Sequence, residues 1–356
     1  MKANLTSRSV GKALSRLLPP EESPVSPDGE AYLTSQAGLA AAVSATIGAG
    51  VWAVIALLAR AGSARVGAIE LLFLFAPLVM VPLGLELGRS LERFGWCGLT
   101  ARRLQPAGAT FALVALLLPP GRAAAAFAAG WMLVCLLMAW NGAATLARSL
   151  SSAPSGPQFE GAKIVRAALG IGQIDLAVGA AALVLSRFGL RPLGIQEPIV
   201  LLTAVHFHYA GFATATIAAA TLSFARGSVL AGWLKKIVLL VAVLPFAVAA
   251  GFVISPALKT AAALAFSASV AALAVALRAS CKQVHERAAR GLLHISAGAV
   301  FAGMVLAAIY AVVDFRGGDS VTITQMAKTH GLLNAFGYCL PALLGWLIEF
   351  GNYPPR

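Results

Sequence analysis

Charged residues and cysteines are both scarce in this chain, and each shortage excludes a class of protein. Only 12% of the 356 residues are charged, about half the share found in a typical soluble domain. The four cysteines lie far apart and form no CxxC pair, so neither a disulfide framework nor a zinc site is indicated. No Walker loop, DDxxD-like diphosphate motif, GxSxG motif or set of HxxxH boxes occurs, and the sequence leaves any cofactor unknown.

What the chain has instead is a series of long apolar runs. They approach the roughly 20 residues that a membrane helix needs and exceed the about 10 of a barrel strand. Because backbone groups find no water in lipid, we predict an all-α, polytopic transmembrane helical bundle. The predicted spans, about ten, cover 37–59, 66–87, 105–119, 123–147, 167–186, 197–222, 237–254, 260–277, 292–313 and 330–350.

The spans divide the chain into three predicted parts. Residues 1–36 are polar and basic without an apolar core, which indicates a disordered cytoplasmic tail rather than a cleaved signal peptide. A four-helix membrane segment follows over 37–150 and a six-helix membrane segment over 163–350. A flexible loop, SSAPSGPQFEG, separates the two segments.

The positive charges orient this layout. With both termini inside, 19 of the 27 Lys and Arg residues fall on the inner side, as the positive-inside rule requires. Membrane orientation therefore explains the net charge of +13 better than nucleic-acid binding does, and no nucleic-acid partner is expected. We predict a multi-pass protein of a cell membrane, of the bacterial inner-membrane type, with the lipid bilayer as its surroundings.

The sixth predicted span carries the most informative polar residues. An ionisable group in a span costs several kcal/mol unless it is paired or solvated, so it is a candidate functional residue. Glu197 lies at the outer end, and Thr203, His206, His208 and Tyr209 follow. His206 is about 13 Å below Glu197. The two histidines lie about 200° apart on a regular helix, so they cannot reach one metal unless a local bulge re-aims them.

Two other spans add polar side chains, one near the middle of the membrane and one at its outer surface. The fifth holds Gln173 and Asp175, and a lone carboxyl near the bilayer centre is expected to be protonated or paired. The tenth begins with His330 and Asn334, which share one helical face. Asp175 could instead only bond neighbouring helices together, and His330 could be only an interfacial residue.

We expect these residues to line one pocket in the outer half of the membrane, provided that spans five, six and ten pack together. Glu197, His330 and Asn334 are assigned to the mouth of this pocket. Its floor is assigned to His206, His208, Tyr209 and Asp175. Gln173 and Thr203 are expected to contact the bound molecule. A metal or haem on the histidines stays open, but no metal site is assigned because the HxH spacing alone is weak.

Three strings of this sequence resemble a known family. EPIVLLTAVHFHYAGF, GQIDLAVGA and KTHGLLNAFGYCLPALLGW are similar to segments of the YndJ-like membrane proteins. The resemblance covers roughly residues 160–350, and HFHYAGF is its most specific part. It implies a multispanning membrane protein that contains this histidine segment, and it implies no particular chemistry.

Three functions fit the pattern. The first is an enzyme that performs acid–base chemistry, of the isomerisation or cyclisation type, on a lipid-soluble substrate such as an isoprenoid. In it Asp175 or Glu197 would be kept protonated by desolvation, and His206 or His208 would relay the proton. The second is a proton-coupled transporter, because intramembrane His, Asp and Glu serve as proton relays. The third is a non-catalytic scaffold whose polar residues fasten helices.

Overall fold

Ten helices form the regular structure of the described chain. The computed structural model describes residues 27–64, 66–151, 157–225, 229–318 and 322–353. The helices are α1 (Pro27–Arg60), α2 (Ala68–Leu91), α3 (Trp96–Leu117), α4 (Arg122–Ser151), α5 (Pro157–Phe188), α6 (Ile199–Phe224), α7 (Ala231–Ile254), α8 (Pro256–Ser280), α9 (Arg287–Phe315) and α10 (Ile323–Asn352). The all-α prediction is confirmed over these residues. The predicted tail lies mostly outside them, and α1 begins at Pro27.

Nine of the ten described helices are long and apolar enough to cross a membrane, and α3 is the exception. The chain is therefore a multi-pass membrane protein. Helix α3 is less apolar because its first half carries Arg102, Arg103 and Gln105. Two of these polar groups have partners on α2: Arg102 pairs with Glu86 at 2.9 Å, and the Gln105 amide donates to the Pro77 carbonyl at 2.6 Å.

Helices α3 and α4 form a hairpin around the predicted Pro-Pro-Gly turn. They pack antiparallel along their length: Gly98 of α3 lies against Asn141, and Gly108 lies against Val134. Both glycines matter, since a Cβ at either position would come within 3.0 Å of the α4 side chain. The two helices consequently cover the same depth.

From Ala41 onward the described residues form one compact unit. The five helices α6 to α10 pack in chain order and close into a ring, because α10 returns to contact α6. Helix α5 packs on the outside of α6, and α2 packs against both α6 and α10. This central position explains why α2 has the largest buried share, 78%, of the candidate spans.

Wide π-helical turns interrupt α2, α6 and α10, which contact one another. They occupy Ala76–Met80 in α2, Phe207–Ala213 in α6, and Ala327–Gly331 and Leu333–Cys339 in α10. The turn of α6 contacts that of α2 and the second turn of α10. Since a π-turn rotates the residues that follow it and is frequent at functional sites, this meeting point directs attention to the space inside the ring.

Candidate functional site

The ring of α6 to α10 encloses a cavity of about 500 Å³. Its lining is mainly apolar and comes from all five helices. Five of the predicted site residues reach it: Thr203, His206, Tyr209, His330 and Asn334. The cavity therefore unites residues of α6 and α10, which the sequence could pair only by hypothesis.

His206 presents one edge of its ring to this cavity. Its Nδ1 lies 2.8 Å from the Leu202 carbonyl one turn earlier. A carbonyl oxygen can only accept, so Nδ1 carries the hydrogen and Nε2, on the opposite edge, is an acceptor. The side chain is accessible to a water-sized probe although protein surrounds it, because its accessible surface lies in the cavity.

His330 repeats this arrangement from α10. Its Nδ1 lies 2.9 Å from the Gly303 carbonyl of α9. The Asn334 amide nitrogen is 3.1 Å from the same Nδ1, but it already donates to the His330 carbonyl at 2.7 Å. The Gly303 oxygen cannot donate, so we assign the hydrogen to Nδ1 and leave Nε2 as an acceptor. His206 and His330 line the same cavity.

His208 lies outside the cavity lining and has partners at both ring nitrogens. It is fully buried. Its Nδ1 donates to the Ala204 carbonyl at 2.8 Å, and its Nε2 accepts from the Trp131 indole of α4 at 3.1 Å. The ring also packs edge-on against Phe73 of α2. These contacts fasten α6 to α4 and α2.

Asp175 is also completely buried and away from the cavity lining. Its carboxyl lies against Gly211, within the π-turn of α6, where a Cβ would come to 2.7 Å of it. Among the residues that the structure describes, neither carboxyl oxygen has a hydrogen-bond partner. Burial without a partner disfavours the charged form of a carboxyl, so a neutral Asp175 is the state consistent with this environment.

Gln173 and Glu197 also lie outside the cavity lining, and each has a hydrogen-bond partner. Gln173 accepts from the Asn141 amide of α4 at 2.8 Å. Glu197 is exposed and accepts from the Leu201 backbone amide at 3.2 Å, near the start of α6. Neither lines the cavity.

Tyr209 and Thr203 line the cavity while their hydroxyls are engaged elsewhere. The Tyr209 hydroxyl donates to the Leu72 carbonyl of α2 at 2.9 Å, and the Thr203 hydroxyl donates to the Ile199 carbonyl at 2.9 Å. Both residues therefore contribute surface to the cavity, with hydrogens already committed to backbone carbonyls.

Sequence reasoning missed an ion pair in the lining. Lys259 of α8 pairs with Asp314 of α9 at 2.7 Å, and its ammonium lies 5.1 Å from the centre of the Phe252 ring. Lys259 is one of the 8 of 27 Lys and Arg residues that the predicted topology leaves on the outer side, and the sequence assigned it no other role. Its position one turn into α8, opposite an acid near the end of α9, was the available signal.

The side chains that could bind a metal are spread apart in the described part of the chain. Among the described ranges, no group of three or more His, Cys, Asp or Glu residues is arranged to hold a metal ion. His206 and His330 face the cavity, whereas His208 faces α4. The cavity lining therefore holds the two imidazoles and the ion pair, together with tyrosine and cysteine side chains such as Tyr310 and Cys339.

Comparison with known proteins identifies relatives of the same kind. A family model described as "YndJ-like protein" matches residues 71–338. The protein named "Uncharacterized membrane protein YndJ" of Bacillus subtilis (strain 168) is 33% identical over 153 residues, which are 42% of this chain and 27% of that protein. The match thus spans about a quarter of that relative's length. No solved structure matches the chain.

Proposed function

Since the chain belongs to the YndJ-like family of membrane proteins, we propose that it is an intramembrane enzyme that moves protons on a lipid-soluble molecule. The substrate enters the apolar cavity inside the ring of α6 to α10. His206 and His330 contact it, and either imidazole takes a proton from it at Nε2 and returns a proton to it. The reaction is of the isomerisation type, and isoprenoids are one suitable class of substrate.

The observation that carries this proposal is the pair of imidazoles open to an apolar cavity. An apolar cavity of about 500 Å³ lies within the size range of small-molecule sites. A histidine held in one tautomer by a carbonyl is ready to take a proton at the other nitrogen. Both His206 and His330 have that arrangement.

The proposed step needs no further reactant. Nε2 of His206 takes a proton from the substrate, and the imidazolium so formed returns a proton to a second position of the same molecule. His330 can accept or return the proton in the same way, so the atoms balance. Three residues that the sequence assigns to the chemistry, Asp175, Glu197 and His208, take no part in this step, because none of them lines the cavity.

We also propose ten membrane crossings with both termini in the cytoplasm. Nine crossings would put the two ends on opposite sides and break the charge asymmetry of the loops. The antiparallel packing of α3 along α4 supports a crossing by α3, because α4 is itself a candidate span. In this orientation the cavity opens toward the outer side.

Lipid conversion tests the enzyme proposal. The purified protein in nanodiscs that contain a bacterial lipid extract is incubated in D2O, and the lipids are separated by chromatography and mass spectrometry. We expect an isomer with a shifted retention time, or deuterium in one lipid. His206→Gln should lower its formation about 100-fold or more.

His294→Gln is the matched control, because His294 lies on α9 outside the cavity lining; it should retain conversion. Conversion that survives both His206→Gln and His330→Gln would overturn the proposed roles. A lipid profile left unchanged by the unaltered protein would reject the enzyme itself.

A proton-coupled transporter is the second candidate. The buried Asp175 carboxyl, without a partner and beside the π-turn of α6, favours it, because such a group can bind and release a proton as helices move. In this case Asp175 is required and lipid conversion is not.

A further inference from the structure

The two imidazoles of the cavity offer hydrogen-bond acceptors. His206 and His330 each commit the Nδ1 hydrogen to a backbone carbonyl, at 2.8 Å and 2.9 Å, which leaves Nε2 of each with a lone pair. The doubly protonated form would put an unpaired charge in apolar surroundings, which is costly. A molecule that pairs with these imidazoles must donate hydrogen bonds, whereas the hydroxyls of Tyr310 and Tyr338, which also line the cavity, can donate or accept.

The charges of the lining balance. In the described lining the ionic groups are Lys259 and Asp314, and they pair with each other at 2.7 Å. An anionic ligand would gain the ammonium but face the carboxylate, and a cationic ligand would meet the reverse. Because an uncompensated charge is expensive to bury, an uncharged molecule fits this lining best.

The polar groups also have a defined order in depth. Lys259 and Asp314 lie near the ends of α8 and α9. His206 and His330 each lie seven residues into their helices, about 10 Å along the axis. Apolar side chains such as Phe266, Val270 and Met304 line the rest of the cavity, which suits a hydrocarbon body.

From these three features we propose that the ligand is a neutral lipid alcohol whose hydroxyl donates to Nε2 of His206 or His330. The inference rests on the proposed function and adds the chemical class of its substrate. It differs from a lipid acid, whose charge the lining does not balance, and from a lipid ketone or ether, which has no hydrogen to give.

Matched alcohols and methyl ethers test this directly. Farnesol, hexadecanol and cholesterol are each compared with the methyl ether of the same skeleton, by equilibrium binding to the purified full-length protein in nanodiscs. At least one alcohol should bind about tenfold more tightly than its ether, the gain of a hydrogen bond in an apolar site. Farnesoic acid should bind more weakly than farnesol.

Variants connect that preference to the two imidazoles. In the double variant His206→Phe and His330→Phe, the ratio of alcohol to ether affinity should fall to about one while the ether still binds. His294→Phe should keep the ratio of the unaltered protein. The ratio measured on the unaltered protein stands by itself if the double variant does not fold.

The outcomes separate the two proposals. Ethers that bind as tightly as alcohols, or an acid that binds more tightly than farnesol, would overturn the alcohol inference and leave an apolar binding site standing. If no skeleton of either series binds, the proposed function fails together with the inference.

Discussion

Histidines of the same helix acquire different roles from their partners. His206 bonds one carbonyl and keeps its second nitrogen for the cavity, whereas His208, two residues later, uses both nitrogens within the protein. The difference lies in what surrounds each ring: a void inside the helix ring for the first and the Trp131 indole for the second. A histidine in a span therefore indicates a site only when one of its nitrogens remains open.

Asp175 provides a prediction at the same scale. Asp175→Asn should change the free energy of unfolding by less than about 1 kcal/mol, because the carboxyl has no hydrogen-bond partner to lose. Lipid conversion should also persist if the enzyme proposal is right. Unfolding in mild detergent and the lipid assay measure the two effects.

Glu349 is the matched buried carboxyl for that experiment. It accepts from the backbone amides of His285 and Glu286 at 3.0 and 3.1 Å, so Glu349→Gln should cost about 1–3 kcal/mol. If Asp175→Asn abolishes lipid conversion while the fold is kept, the proton-coupled transporter becomes the better proposal.

At the scale of elements, close helix contacts depend on glycine. Gly142 of α4 and Gly170 of α5 meet face to face: a Cβ on Gly142 would lie 2.4 Å from the Gly170 carbonyl oxygen, and one on Gly170 would lie 2.6 Å from that of Gly142. Small residues at such crossings let membrane helices approach closely. The same approach brings the Asn141 and Gln173 side chains within hydrogen-bonding distance.

Gly142→Ala should therefore destabilise the protein by about 1–3 kcal/mol, the usual cost of overpacking, since backbone atoms cannot move aside. Gly298→Ala on α9 is the control, because nothing lies within 4 Å of a Cβ there. Thermal unfolding of both variants in the same detergent compares them. Equal stability of the two would contradict the close contact of α4 and α5.

At the scale of the whole molecule, the number of crossings decides which side each loop faces. Ser63 lies between α1 and α2, and Arg122 begins α4. These two positions are on the same side only if both α2 and α3 cross the membrane. The charges of the loops and the antiparallel packing of α3 along α4 both support that arrangement.

Labelling with a membrane-impermeant maleimide tests the crossing by α3. The four native cysteines are buried, so the background should be low. Ser63→Cys and Arg122→Cys should both react in intact spheroplasts, whereas Ser151→Cys should react only after permeabilisation. Opposite accessibility of positions 63 and 122 would show that α3 does not cross.

The sequence by itself determined the class of this protein and most of its helices. Runs of apolar residues are sufficient because each span must satisfy its own backbone hydrogen bonds in lipid. The same argument identified His206 and His330 as candidate functional residues, because an ionisable side chain in a span is energetically costly. The argument from apolar runs is weaker for α3, because Arg102 and Gln105 make this helix less apolar. Their partners on α2 compensate for these two polar groups.

Only the tertiary structure decided which polar groups share a space. Helical spacing fixes the direction of a side chain relative to its own helix, but the neighbour it meets depends on how all the helices pack. Hence the cavity unites His206 of α6 with His330 of α10 and with the pair Lys259 and Asp314, whereas Asp175 packs against Gly211. Long-range packing, which no local pattern encodes, made that choice.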